Sequence, residues 1–263
     1  MSCLAGHAAL ITGSTKGVGR AIAEAYAAAG ADVVLHGRSE STEAKDALAA
    51  CRSHGIQASF VAADLSEPQA ACVPKLAADA RKACPQLDIL VNNAGHYFDV
   101  PFAQMTLERF NKTIDLNVTS GYFLTQEFAR HWIANGVHGR VLLVGSINGR
   151  RAKADSTAYD ISKGAVEMMV KTLCVALAPQ SIRVNGLAPG LVRTPQTAWL
   201  DDRKTAAAWL AQHTPNGEIP PAQVCGEDAV FLVSDGDSHV QGQMLMIDGG
   251  MSIWQQPPPP TET

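Results

Sequence analysis

Tyr159 and Lys163 lie four residues apart in the segment TAYDISKGA, with Ser156 and Ser162 close by. On a helix, side chains at this spacing share one face. A phenol has an ordinary pKa of about 10, and an adjacent cation lowers that pKa by roughly one to three units. The pair indicates either a proton-transfer site or an ordinary exposed pair on a helix, and this segment alone does not decide between the two.

A glycine-rich segment, TGSTKGVG, separates a predicted strand over 8–12 from a predicted helix. Its glycines follow the spacing G-x-x-x-G-x-G instead of the commoner G-x-G-x-x-G. Glycines allow a sharp turn and a close approach to a pyrophosphate, and the helix N-terminus provides N–H donors and a positive dipole end. A plain turn is the alternative, but the flanking strand and helix favour a dinucleotide site formed by Gly13, Ser14, Thr15, Lys16, Gly17, Val18 and Gly19.

The second predicted strand ends in LHGRS and carries no carboxylate. NAD-selective sites use an acidic residue at about this distance from the glycine loop to hold the ribose hydroxyls. Arg38, with Ser39 beside it, stands instead where a cation would bind a 2′-phosphate, and Lys16, inside the glycine loop, could reach the same phosphate. The segment therefore predicts NADP(H) as the preferred cofactor, with NAD(H) as the second choice.

Apolar strand-like runs alternate with alanine-rich helical patterns along the chain. Near-continuous apolar strands separated by helices are typical of a parallel sheet covered by helices on both faces. Helices are predicted over about 106–135 and 156–178, and we expect one domain over 1–250, a helical lid over 195–215 and a proline-rich tail over 251–263. The predicted strands cover 8–12, 31–37, 57–64, 88–95, 139–146, 182–190 and 243–250.

The composition argues against several classes of protein. With 263 residues and 46% hydrophobic content, the chain suits one domain with a large core. A net charge of -4 without a long basic run disfavours nucleic-acid binding, and no apolar run is long enough for a membrane span. The six cysteines lack CxxC spacing, so we expect reduced packing residues in a cytoplasmic protein and no metal site.

Several further motifs follow in a fixed order. Taken together, they resemble the short-chain dehydrogenase/reductase family from about Ala8 to Gly250. The matching segments are the TGSTKGVG loop, Asp64 and Leu65 after the third strand, NNAG at 92–95, Asn117 in DLNV, Ser146 at the end of the fifth strand, YDISK at 159–163, PGLVRT at 189–194 and IDGG near the end.

The resemblance implies an α/β protein with a single-domain Rossmann fold, a doubly wound parallel sheet of seven strands with helices on both faces. It also implies a homotetramer built through the long helices and the last strand. The catalytic set would be Asn117, Ser146, Tyr159 and Lys163. Besides the glycine loop, Arg38 and Ser39, the cofactor would contact Asp64, Leu65, Asn93, Ala94, Gly95, Tyr159, Lys163, Pro189, Gly190, Val192 and Thr194.

The activity that follows is hydride transfer between NAD(P)(H) and a secondary alcohol or ketone, with Tyr159 as the acid or base. A nucleotide-binding sensor without turnover, and an epimerase or dehydratase on the same scaffold, are the alternatives. The partner is a small molecule. The proposed substrate residues are His96, Ile147, Asn148, Leu191 and Trp199, with Tyr97 and Arg151 nearby. The polar side chains among them favour a sugar or polyol as substrate, whereas the apolar ones favour a 3-oxoacyl compound or a bulky ketone. Both substrate classes stay open.

Overall fold

A computed structural model describes residues 3–198, 208, 210, 212–237 and 239–254. Its strands pair in parallel throughout, in a single sheet with the order β3-β2-β1-β4-β5-β6-β7. This is the predicted seven-stranded sheet. The strands are β1 (Ala8–Ile11), β2 (Asp32–Gly37), β3 (Ala58–Ala62), β4 (Ile89–Asn92), β5 (Arg140–Val144), β6 (Arg183–Pro189) and β7 (Met244–Ile247).

Helices cover both faces of the sheet, so the predicted fold class is confirmed. On one face lie α1 (Gly17–Ala28), α2 (Thr42–Arg52) and α7 (Val224–Val233). The other face is covered by α3 (Gln69–Ala83), α5 (Ser120–Asn135) and α6 (Thr157–Leu177), with α4 (Leu107–Ile114) packed against α6.

The two core layers follow from the alternation of side chains along each strand. In β1, Ala8 and Leu10 point into the layer under α3, α5 and α6, whereas Ala9 and Ile11 point into the layer under α1, α2 and α7. All four are fully buried, as expected for a parallel strand covered on both faces. The sequence between the strands is long enough for a helical crossover in each case, which keeps neighbouring strands parallel.

The strand order reverses between β1 and β4, because the chain winds outward to β3 in one direction and to β7 in the other. Ligands of such sheets bind beyond the carboxyl ends of the strands at this switch point. The glycine loop leaves β1 there and the NNAG segment leaves β4 there. The fold thus brings together two of the segments from which we predicted a cofactor site.

One long predicted helix is interrupted. The region over 106–135 is helical, but α4 and α5 are joined by a π-helical turn, Asp115–Thr119. Such turns widen the hydrogen-bond ladder by one residue and are frequent at functional sites. Here the turn carries Asn117.

Two other predicted segments fall largely outside the described residues. Pro195–Thr197 forms a short 3₁₀ turn, but most of the predicted lid over 195–215, including Trp199, is not described. Of the predicted tail, only residues 251–254 are described. The lid and the tail therefore stay predictions. None of the helices within the described ranges has the length and hydrophobicity to span a membrane.

Candidate active site

Lys163 lies on α6 with its side chain buried against the end of β5. Only 7% of the residue is exposed, and its Nζ donates to the carbonyl oxygen of Val144 at 2.8 Å. The same Nζ is 5.6 Å from the centroid of the Tyr159 ring, one helical turn earlier. The sequence spacing therefore does place the phenol and the amine on one face of the helix, and that face points into the protein.

Ser146 follows β5, and its side chain acts to lower the pKa of the Tyr159 phenol. Its Oγ accepts the backbone N–H of Asn148 at 3.2 Å, and its hydroxyl hydrogen stays available as a donor. The two hydroxyls therefore lie near each other, and both could bond one substrate oxygen.

The side chain of Asn117, which lies in the π-helical turn, makes three hydrogen bonds to other segments. Its Oδ1 accepts the backbone N–H of His96 at 2.9 Å, and its Nδ2 donates to the carbonyl oxygen of His96 at 3.0 Å. Nδ2 also donates to Ser162 Oγ at 3.0 Å, and Ser162 donates in turn to the carbonyl oxygen of Tyr159 at 2.6 Å. Asn117 therefore connects the loop after β4 to the catalytic helix.

A cavity of about 10 Å³ lies behind these residues. Its volume is close to the least that a buried water molecule needs. Lys163 and Asn117 both line it, as do Thr12, Asn92 and Ser120. The cavity offers polar groups from the residue after β1, from β4, from the π-helical turn, and from α5 and α6, around a space suited to a single water molecule.

Burial dominates the ionisation of the phenol and the amine. It raises the pKa of Tyr159 to about 12, although the Ser146 hydrogen bond acts in the opposite direction. It lowers the pKa of Lys163 to about 8. The expectation that Lys163 would lower the phenol's pKa is therefore wrong for this structure, because desolvation of the phenolate outweighs any attraction from an amine that bonds Val144 instead.

The glycine loop forms a cradle that side chains would fill. Gly13 and Gly17 have φ of +64° and +59°, a left-handed conformation that favours glycine. A Cβ on Gly19 would stand 2.3 Å from Asn93 Nδ2 and 2.4 Å from the Gly13 oxygen. The bare backbone and the start of α1 fit a pyrophosphate, which accepts hydrogen bonds from N–H groups at such a position.

Asn93 and Thr12 hold this loop against β4. Asn93 Nδ2 donates to the carbonyl oxygens of Thr12 and Gly13 at 2.8 and 3.1 Å. Thr12 Oγ1 accepts the backbone N–H groups of Asn93 and Ala94 at 2.9 and 3.0 Å. These four hydrogen bonds join the loop to the segment after β4, and the residues present fit a dinucleotide.

The other predicted cofactor residues differ in exposure and in their contacts. Arg38, Ser39 and Lys16 are exposed. The pKa of Asp64 is lowered chiefly by hydrogen bonds from Ser66, with a smaller contribution from Arg38. Thr194 lies beside the loop, since a Cβ on Gly17 would be 3.7 Å from its side chain. Leu65 and Val192 are buried, and Ser14 is also buried in contact with β2.

The predicted substrate residues do not all turn their polar groups to the cleft. The His96 ring bonds Thr113 and packs on Phe98, and burial lowers its pKa. Asn148 donates to Asp160 at 2.7 Å. Arg151 bonds the carbonyl oxygen of Met251. Ile147 and Leu191 are partly buried, and Trp199 lies outside the described residues.

A second polar group lies next to Tyr159. The Tyr97 ring meets the Tyr159 ring edge-on, with centroids 4.9 Å apart. Lys153 Nζ donates to the Tyr97 hydroxyl at 2.7 Å and to both carboxylate oxygens of Asp99 at 2.7 and 2.8 Å. This Tyr97–Asp99–Lys153 cluster joins the loop after β4 to the loop before α6.

Sequence reasoning missed some of the residues that build the site. Asp160 accepts from Asn148, Ser156 and the backbone N–H of Lys153, and so orders the loop before Tyr159. In the sequence, Ser162 stands out only as a neighbour of Tyr159 and Lys163, and nothing there predicts its bond to Asn117. An acidic residue in the first turn of a helix is a recognisable signal, whereas a contact between distant segments leaves none in a single sequence.

Comparison with known proteins agrees with this geometry. Residues 13–252 match the short-chain alcohol dehydrogenase family model described as enoyl-(acyl carrier protein) reductase. This chain belongs to the short-chain dehydrogenase/reductase family. The family and the enzyme class predicted from the motifs are therefore confirmed, and the protein is an NAD(P)-dependent oxidoreductase.

Among the relatives of this short-chain dehydrogenase/reductase are two enzymes of Gluconobacter oxydans. Glucose 1-dehydrogenase is 33% identical over 95% of this chain and 93% of that protein, and gluconate 5-dehydrogenase is 34% identical over 95% and 96%. A crystal structure of a gluconate 5-dehydrogenase from Burkholderia cenocepacia, in complex with NADP and tartrate, has a TM-score of 0.87 and 33% identity, covering 95% of this chain and 96% of that one.

The lowered pKa of Lys163 predicts a pH-dependent effect on stability. Between about pH 8 and 10.5 the unfolded chain binds more protons than the folded one, so the free energy of unfolding increases with pH there. Lys163 contributes up to about 1.4 kcal/mol per pH unit to that slope. We expect Lys163→Met to lose this contribution, as measured by urea unfolding from pH 7 to 9.5. Lys171→Met, which removes an exposed lysine of the same helix, should keep the slope. Parallel curves for wild type and Lys163→Met would contradict the assignment.

Proposed function

We propose that this enzyme interconverts a secondary hydroxyl and a ketone on a sugar, polyol or sugar acid, with NADP(H) as its cofactor. The observation that carries the proposal is the Lys163 amine, buried with its Nζ 5.6 Å from the centroid of the Tyr159 ring, beside a phenol whose pKa the Ser146 side chain acts to lower. Two hydroxyls that can bond one oxygen, backed by a basic group, suit proton transfer to or from that oxygen.

The proton step follows from the ionisation of these groups. With a pKa of about 12, the Tyr159 phenol holds its proton at neutral pH and can donate it to a carbonyl oxygen. Ser146 would donate a hydrogen bond to the same oxygen as negative charge develops on it. In the reverse direction the phenolate takes the proton of the alcohol, and the Ser146 hydrogen bond favours that phenolate.

Asn117 would connect the site to solvent. Together with Lys163 it lines the cavity of about 10 Å³, which suits one water molecule. A proton given up by Tyr159 could then be replaced through Lys163 and this water. The three hydrogen bonds that hold Asn117 support such a fixed position.

NADP(H), when bound, supplies or accepts the hydride at the substrate carbon. The residues that would hold it are the glycine loop at the pyrophosphate, Asp64 and Leu65 at the adenine, the 92–95 segment, and Thr194 with the segment before it. Lys163 would also bond the nicotinamide ribose. Arg38 and Lys16 would bind the 2′-phosphate, in agreement with the NADP in the Burkholderia cenocepacia enzyme.

The substrate class is supported by polar groups near Tyr159 and by the relatives. Lys153 and Asp99 are about half exposed beside the Tyr97 ring, so they can exchange hydrogen bonds with substrate hydroxyls. The two Gluconobacter oxydans relatives are named for glucose and gluconate. A 3-oxoacyl thioester is the second candidate, because a 3-oxoacyl (acyl-carrier-protein) reductase of Agrobacterium tumefaciens is 30% identical to this chain with a TM-score of 0.87.

The central test combines Tyr159→Phe with a substrate panel. We expect wild-type enzyme to oxidise a sugar, polyol or sugar acid with NADP⁺, and Tyr159→Phe to lower kcat by roughly 10²- to 10⁴-fold because the proton donor is gone. Initial rates at 340 nm would measure both. Tyr122→Phe, at a tyrosine of α5 that is 41% exposed, is the matched control and should be as active as wild type.

Three outcomes would count against the proposal. Turnover near wild type in folded Tyr159→Phe would remove the tyrosine from the reaction. NADP(H) binding without turnover of any compound in the panel would favour a sensor. Activity with 3-oxoacyl thioesters alone would agree with the proposed proton and hydride transfer but would contradict the proposed sugar, polyol or sugar-acid substrate.

Arg38 gives a separate prediction about the cofactor. We expect Arg38→Ala to weaken NADPH binding by about 10- to 100-fold, since a hydrogen-bonded charge pair with the 2′-phosphate is lost. NADH binding should change little, because NADH lacks that phosphate. Lys75→Ala removes an exposed cation from α3 and is the control for net charge. Equal losses for NADPH and NADH, measured by fluorescence titration, would contradict this role.

We also propose that the enzyme is a homotetramer in the cytoplasm. Ile161, Met168 and Val175 recur every seven residues on α6 and are 55%, 55% and 78% exposed. On α7, Val224 and Phe231 have the same spacing and are also exposed. Two separate apolar faces suit the two interfaces of a symmetric tetramer. The free thiols of the described cysteines agree with a reducing compartment.

Light scattering tests the assembly directly. Wild-type enzyme should have the mass of four chains, and Met168→Asp should reduce it to two or one by placing a charge in the α6 interface. Lys75→Asp, on α3, should stay tetrameric. A wild-type monomer at micromolar concentration would contradict the proposal.

A further inference from the structure

His36 lies at the end of β2 and has no part in the proton chemistry. It is 3% exposed, yet both ring nitrogens have partners. The backbone N–H of Gly13 donates to Nδ1 at 3.1 Å, and Nε2 lies 3.1 Å from the carbonyl oxygen of Ala63. Because an N–H can only donate and a carbonyl can only accept, the ring is neutral with its hydrogen on Nε2.

The buried environment keeps the ring in that state. Burial lowers the pKa of His36 to about 4, against smaller opposing effects of Ala63 and Asp64. A protonated ring would have no lone pair for the Gly13 N–H. The acceptor that Gly13 requires is therefore present throughout the neutral pH range.

The backbone of His36 adds two more bonds to the glycine loop. Its N–H donates to Ser14 Oγ at 2.9 Å, and its carbonyl oxygen accepts the N–H of Ser14 at 3.0 Å. Together with the ring, a single residue of β2 makes three hydrogen bonds to Gly13 and Ser14. Asn93 holds the opposite side of the loop, from β4.

The position of His36 connects three segments proposed to contact the cofactor. Its ring bonds the first glycine of the loop and the residue before Asp64. Its own chain continues through Gly37 to Arg38. We propose that His36 is a positioning residue for the dinucleotide, whose neutral ring fixes the glycine loop relative to the ends of β2 and β3. This inference rests on the proposed function, because it requires that NADP(H) binds at the glycine loop.

Three substitutions separate the two ring bonds. His36→Asn places an amide oxygen where Nδ1 stands, so it can accept from Gly13 but does not reach Ala63. His36→Gln places an amide nitrogen near the position of Nε2, so it can donate to Ala63 but leaves Gly13 without an acceptor. His36→Leu has roughly similar bulk and makes neither bond.

The readout is the Kd of NADPH and of NADH for the full-length protein, measured by fluorescence titration. We expect His36→Asn to bind NADPH within about threefold of wild type, and His36→Leu and His36→Gln to bind at least about tenfold more weakly, as for a buried N–H without a partner. NADPH and NADH should lose affinity to the same extent, because the glycine loop would bind the pyrophosphate that both cofactors contain. Arg38→Ala, in contrast, should affect NADPH alone. At saturating NADPH, kcat should stay within about threefold.

Thermal unfolding without cofactor distinguishes positioning from general loss of stability. A structural role alone would lower Tm in the variants and leave Kd unchanged in the folded fraction. The proposal is overturned if His36→Leu binds NADPH within twofold of wild type, or if His36→Gln binds as tightly as His36→Asn. If His36→Leu does not fold, the difference in NADPH affinity between His36→Asn and His36→Gln still tests the proposal. Wild-type protein that binds neither cofactor would refute the proposed function itself.

Discussion

The active site depends on one buried hydrogen bond, from the amine of Lys163 to the last carbonyl of β5. Placing an amine in the core is costly unless it has a partner. Val144 provides that partner, and the bond fixes α6 against the end of β5. Tyr159 and Ser146 then meet because one lies a turn before Lys163 on the helix and the other follows Val144 on the strand. The geometry that we propose for proton transfer is thus a consequence of how helix and sheet pack.

The cofactor crevice follows the same principle of fixing backbone with buried polar groups. The glycine loop has no side chains of its own at Gly13, Gly17 and Gly19 to hold it in place. Asn93 bonds the loop from the end of β4, Thr12 at the start of the loop accepts the N–H of Ala94, and His36 bonds the loop from β2. Such satisfied buried contacts order the binding surface before the ligand arrives, which reduces the entropy lost on binding.

The sequence predicted the seven-stranded sheet and the order of its elements, and it predicted that Tyr159 and Lys163 share one helix face. This was possible because strands, glycine turns and the Tyr159–Lys163 spacing are local patterns. The π-helical turn at Asn117 could not be predicted, since the helical pattern is continuous through it. The contacts of Asp160 and Tyr97 depend on loops brought together by the fold. The predicted direction of the Tyr159 pKa shift was wrong, because the burial that raises this pKa is a property of the tertiary structure.

The most direct test is a crystal structure of the enzyme with NADP⁺ and a sugar acid that cannot be oxidised. The account predicts one ligand oxygen within about 3.2 Å of both Tyr159 Oη and Ser146 Oγ, with Lys163 still buried behind them. A ligand whose oxygens bond other groups, with the Tyr159 phenol turned away from the nicotinamide, would contradict it.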